Sequence, residues 1–148
     1  MARIMGQVSL ISLIVADYDE AIAFFTDLLE FELVEDSPSV STHTGTAKRW
    51  VIVRPPGAET GVLLSKAEGE VQRAAIGDQF AGRVGLFYTV DEFDRLYAKL
   101  KAGGVEFLTE ARDEPYGRVA VFRDLAGNRW DLLGPHPNRT GRDETRQP

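Results

Sequence analysis

The stretch FRDLAGNRWDLLG, residues 122–134, carries a carboxylate, Asp131, on a run whose alternation reads as a β-strand. A carboxylate on the inward face of a strand can ligate a divalent ion or take up a proton, depending on the donors beside it. Few other donors are available. The chain has no cysteine and two histidines, which excludes disulfides, thiolate metal sites and a cysteine nucleophile. His43 lies in the polar run SVSTHTGTA, where a solvated imidazole is expected unless the loop folds over an interior and brings it to a ligand. His136, in GPHPNR, is expected at the surface. A mononuclear divalent site takes at least three protein donors at ~2.0–2.6 Å. Nothing in the spacing brings both histidines to Asp131.

Other catalytic patterns are missing. The sequence has no nucleophile triad, no Gly-rich phosphate loop and no paired catalytic carboxylates. GNRWD begins as a turn that enters a strand, so it is not a phosphate cradle at a helix start. ARDEP reads as a solvated turn.

The elements that must position Asp131 follow from the pattern. The chain has 148 residues, 43% hydrophobic and 27% charged, with a net charge of −6. That is an ordinary globular composition, and its charge argues against a nucleic-acid or anionic-membrane partner. The apolar run Val8 to Val15 is too short to span a membrane and reads as a buried strand. A cytoplasmic location fits the lack of cysteine. Acids at Asp17 and Asp19 suit a helix start, and Ile22, Phe25, Leu28 and Leu29 recur at helical spacing, predicting a helix over about 18–29. FELVED, KRWVIV and GVLLS are strands, with a polar loop or irregular hairpin over 37–47, so the order to Ser65 is β-α-β-β-β. A connector of weak helical character spans 66–82. RVGLFYTV, the helix DEFDRLYAKLKAGG, and the strands VEFLTE, RVAVFR and RWDLLG then repeat the order over 83–134. Asp91-Glu92-Phe93-Asp94 falls on Ala16-Asp17-Tyr18-Asp19 at an offset of 75, and we read an internal duplication. Residues 136–148 form a polar tail.

Three motifs in order, VADYDEAIAFFTDLLEFEL, VDEFDRLYAKLKAGGVEF and FRDLAGNRWDLLG, resemble the vicinal oxygen chelate superfamily of glyoxalases, bleomycin-resistance proteins and extradiol dioxygenases. The resemblance covers roughly 8–134. It implies an α+β fold, a single domain over 1–135 with modules at 7–65 and 83–134. The two tandem βαβββ modules would form a curved, partly closed mixed sheet around a cavity, with the helices outside. Metal-binding relatives take ligands from the first and last strands of both modules. The corresponding positions here are Leu10, Leu63 or Leu64, Gly85 and Asp131. Only Asp131 can donate, so no family-type metal and no cofactor is expected.

Alternation places Leu10, Ser12 and Ile14 inward on the first strand, and Arg83, Gly85, Phe87 and Thr89 inward on its counterpart. On the last strand Arg129, Asp131 and Leu133 face inward while Trp130 and Leu132 pack under the helix. Arg129 or Arg83 could hold Asp131 ionised, either as a plain internal ion pair or as an element that orients a ligand. Gly85 leaves room beside the strand. Trp50 and Tyr116 are the aromatics placed to edge a pocket, Trp50 being equally compatible with the core. The expected ligand-binding set is therefore Leu10, Ser12, Trp50, Arg83, Gly85, Phe87, Tyr116, Arg129 and Asp131. Two functions fit. One is metal-free capture of a small organic molecule, as in bleomycin-resistance proteins. The other is an enzyme of lyase, isomerase or dioxygenase type, using Asp131 as a base or a metal held by unrecognised ligands. A homodimer is expected from the resemblance.

Overall fold

The computed structural model describes residues 1–137. The chain divides into two compact units, Met1–Gln79 and one beginning at Phe80. Most of the expected tail, 138–148, lies outside the described residues. No helix among the described residues is long and apolar enough to cross a membrane.

The first unit runs β1 (Leu10–Val15), α1 (Tyr18–Ala23), β2 (Glu32–Val40), β3 (Ala47–Arg54), β4 (Gly61–Lys66) and α2 (Gly69–Ala75). Its sheet has the order β1-β4-β3-β2, with β1 parallel to β4 and the other pairs antiparallel. Asp17 starts α1 by accepting the Glu20 N–H at 2.8 Å. The expected helix continues past Ala23 as a π-helical turn over Phe24–Leu28. Phe25 and Leu29 are thereby buried against Leu13, Val15, Val51, Val53 and Leu64, the inward residues of three strands. This apolar layer is the core of the unit.

Of the two forms expected for the polar segment from Ser37, loop or irregular hairpin, the structure has the hairpin: Ser37–Val40 is the second half of β2, paired with Ala47–Trp50. Only 41–46 is loop. The pairing is secured by charge: Arg49 grips Asp36 with two donors at 3.0 and 2.7 Å and reaches Asp19 at 3.0 Å. β2 is an edge strand exposed on both faces, so it carries no apolar alternation to read.

The second unit runs β5 (Val84–Thr89), α3 (Phe93–Ala102), β6 (Arg112–Glu114), β7 (Gly117–Arg123) and β8 (Arg129–Gly134). The order β5-β8-β7-β6 repeats that of the first sheet, again with the outer pair parallel. Leu96 and Leu100 of α3 pack with Phe122, Trp130 and Leu132 in the core. The expected strand over 105–110 is reduced to one bridge, Phe107 to Phe122. The Phe107 ring turns toward Tyr97, 4.7 Å away, and the second strand of the unit forms instead at Arg112–Glu114, where a turn was expected.

The turn between β7 and β8 is built on one buried side chain. Asp124 is 6% exposed. Its Oδ1 accepts the N–H groups of Ala126, Gly127 and Asn128 at 3.0, 3.0 and 2.9 Å. Its Oδ2 accepts Asn128 Nδ2 at 3.2 Å and the Trp130 indole N–H at 2.9 Å. Gly127, at φ +107°, takes the backbone angle that closes the turn. Asp124→Asn would set an amide N–H against donors and leave buried groups unpaired. It should cost about 2–4 kcal/mol in urea unfolding followed by tryptophan fluorescence; a change under about 0.5 kcal/mol would show the network is dispensable.

Candidate functional site

Each sheet has one face under its helices and one turned away from them. In the first unit, register aligns Ser12 with Leu63 and Leu63 with Ile52. Leu64 is core at 1% exposure, so of the two leucines it is Leu63 that stands on the outer face. Trp50, two residues before Ile52, is half-buried on the same face and not in the core. Leu10 joins them: with Ile52 it covers Gly61, where an added Cβ would lie 3.3 Å from Leu10 and 3.2 Å from Ile52.

Two features here were not legible in the sequence. The Gln79 side chain serves the free edge of β1 as a short surrogate strand, accepting the Ile14 N–H at 2.8 Å and donating to the Ser12 carbonyl at 2.9 Å. Glu68, in the expected connector, ties down the 41–46 loop. It accepts Ser41 Oγ at 2.8 Å, Thr44 Oγ1 at 3.3 Å and Thr46 Oγ1 at 3.4 Å. Those hydroxyls, Ser41 above all, hold the Glu68 carboxyl below its ordinary pKa, with a lesser contribution from Lys48. A cavity of about 210 Å³ lies beside this latch, lined among others by His43, Trp50, Leu63, Ser65, Glu68 and Gln72. The loop thus does bring His43 to a cavity wall.

In the second unit, Asp131 pairs with Phe87 and Val121, and Leu133 with Thr89 and Val119. Trp130 and Leu132 are buried on the opposite face, as alternation predicts. The shared phase along β5 ends at Gly85, however. Val84, not Arg83, aligns with Arg129, because Gly85 is a bulge that slips the register by one residue. Arg83 is exposed. The room left by Gly85 is taken as well: a Cβ there would overlap the ring of Phe80. Phe87 is 64% exposed, and Tyr116 is 68% exposed at the β6–β7 turn. Tyr116 lines neither described cavity.

Partial burial raises the Asp131 pKa above its ordinary value, and the cation that opposes this is Arg112. The expected partners Arg129 and Arg83 do not contribute. Arg112 pairs in register with Val119, which places it on the Asp131 face of the sheet. It also bonds Glu114 at 3.2 Å. Only the reading of ARDEP as an edge strand rather than a turn could have found it. His136, expected at the surface, is mostly covered and lies 3.4 Å from Asp113.

The chain also resembles known proteins. The profile of the Glyoxalase/Bleomycin resistance protein/Dioxygenase superfamily matches residues 7–132. An uncharacterized protein of Shewanella frigidimarina is 44% identical over 124 residues, 83% of this chain and 89% of its own. The crystal structure of TnmS3, an antibiotic binding protein from Streptomyces sp. CB03234, superposes with TM-score 0.70 at 28% identity, over 90% of this chain and 99% of that one. The crystal structure of UcmS2 gives 0.71 at 29% identity, over 88% and 98%.

Gly85→Ala should destabilise by about 1–3 kcal/mol through the clash with Phe80. In a Phe80→Ala background the same change should cost almost nothing, and an equal cost in both backgrounds would refute the packing described. For Asp131 the sign follows from a raised folded-state pKa. Its favourable contribution is complete below the unfolded-state pKa and is lost as pH rises through the folded value. Relative to Asp131→Asn, the wild type should therefore lose stability as pH climbs through the carboxylate range. Parallel unfolding curves across that range would contradict the assignment.

Proposed function

We propose that this chain, which belongs to the glyoxalase/bleomycin resistance protein/dioxygenase superfamily, binds a small organic molecule without the metal centre of its catalytic relatives. The observation that carries the reading is the outer face of the first sheet, where Trp50 and Leu63 adjoin the 210 Å³ cavity under the Glu68 latch. An aromatic side chain beside apolar surface, with a few polar groups, suits a planar ligand. The likeness to an antibiotic binding protein supports the same reading.

The residues do not suit a family-type metal. Leu10 is packed over Gly61 and the Gly85 position is filled by Phe80. Leu63 has no donor atom. Among the described residues, no group of three or more His, Cys, Asp or Glu could hold an ion. We assign ligand contact in the first unit to Trp50, which lines the 210 Å³ cavity, and to Leu10 and Ser12 on the same outer face; in the second unit Phe87, Arg129 and Asp131 share the corresponding face of their own sheet. The two units are taken as modules of one domain.

One observation favours a second reading. Partial burial raises the pKa of Asp131, which is the direction a general base requires. In that case the carboxylate removes a proton from a bound substrate and Arg112 or Arg129 steadies the anion that forms.

Titration with bleomycin and with polycyclic aromatic antibiotics, read by calorimetry and tryptophan fluorescence, tests both. Trp130 is only 2% exposed, so quenching should come from Trp50. Binding should be saturable, and Trp50→Ala should weaken it roughly tenfold or more. No binding by any compound of the panel would refute capture. Turnover abolished by Asp131→Asn, with binding kept, would establish the enzyme.

A further inference from the structure

A second cleft, of about 520 Å³, opens where β1 passes into α1, between the start of β3 and the end of β4. Its charged and phenolic walls are Asp17, Tyr18, Lys48, Arg49, Lys66 and Glu68. Three cations therefore face two carboxylates, but most of these groups are already engaged. Asp17 caps α1 through the Glu20 N–H. Glu68 is held by three loop hydroxyls. Arg49 is held by Asp36 and Asp19, with its guanidinium 5.1 Å from the centre of the Tyr18 ring.

Three donors remain. Lys48 acts on Glu68 through space but makes no hydrogen bond or ion pair among the described residues, and Lys66 makes none either. Tyr18 is 8% exposed, and its hydroxyl accepts the Arg49 N–H at 3.2 Å. A phenol that accepts in this way still has its own proton to give, and no acceptor for it exists among the described residues. Two ammonium groups and an O–H at one cleft, with the neighbouring acids engaged, form a constellation for an anion with several oxygens. The volume suits a small molecule that carries such a group.

We propose that this cleft binds an oxyanion, the phosphate or carboxylate group of a small metabolite. Lys48 and Lys66 supply the charge and the Tyr18 hydroxyl orients the anion. The cleft adjoins the cavity beside Trp50 and shares Tyr18, Lys48, Arg49, Lys66 and Glu68 with it, but Trp50 and Leu63 do not line it. It uses side chains that the fold itself leaves unspent.

Amide NMR of the whole chain, titrated with inorganic phosphate and separately with benzoate, tests the proposal, with sodium chloride at matched ionic strength as the control. Saturable shifts are expected at residues 17–18, 46–49 and 66–68. A response to phosphate alone assigns a phosphoryl ligand, a response to benzoate alone a carboxylate, and a response to both the shared chemistry. The Lys48→Met, Lys66→Met double variant retains the aliphatic stems, and its spectrum reports its own folding. It should bind roughly tenfold more weakly or worse, since both ammonium donors are removed. Tyr18→Phe keeps the ring under Arg49 and should weaken binding several-fold. Trp50→Ala should leave phosphate binding unchanged, which separates this test from that of aromatic capture. Shifts reproduced by sodium chloride, no response to either anion, or a folded double variant that binds as tightly as the wild type would overturn the proposal.

Discussion

The second sheet depends on one buried carboxylate. Asp124 collects three backbone N–H groups, one side-chain amide and the Trp130 indole. Buried donors of this kind are expensive to leave unpaired, and a charged acceptor satisfies them more strongly than a neutral one. The knot does more than close a turn. By drawing the Trp130 N–H inward it sets the phase of β8. Strand alternation then obliges Asp131 to stand on the other face. Asp131 is thereby placed by a side chain seven positions earlier in the chain.

Both sheets use the same arrangement, with a helix over one face and a mixture of apolar and charged residues on the other. Two of the positions singled out in the sequence serve packing. Leu10 packs across Gly61, and the Phe80 ring occupies the space beside Gly85. The Gly85 bulge and the ring belong together, since any side chain at that point would displace the aromatic.

The first unit distributes its charges unevenly. Hydroxyls of the 41–46 loop converge on Glu68, and Asp19 and Asp36 converge on Arg49. These clusters fasten a loop and an edge strand that have little apolar surface of their own. Once they are formed, the side chains of Lys48 and Lys66 make no direct hydrogen bond or ion pair among the described residues, and Lys48 acts on Glu68 only through space. The unspent charge is a by-product of how the polar segments are held.

Much of the architecture could be read from the residues directly. Periodicity marked α1 and α3, alternation assigned Trp130 and Leu132 to the helix side, and the repeated order of elements foretold two βαβββ modules, which form two four-stranded sheets rather than one partly closed sheet. Such readings succeed because apolar burial leaves a regular imprint on a strand or helix. They fail where backbone pairing or polar contacts decide the outcome. The second half of β2 and all of β6 are edge segments without that imprint, so the first was left between loop and irregular hairpin and the second was read as a turn. Arg83 was misplaced because a bulge breaks the alternation without changing the composition. Trp50, Leu63 against Leu64, and Arg112 beside Asp131 were settled only by strand register. A contact between residues far apart in the chain exists only once the sheet has assembled, and no local pattern encodes it.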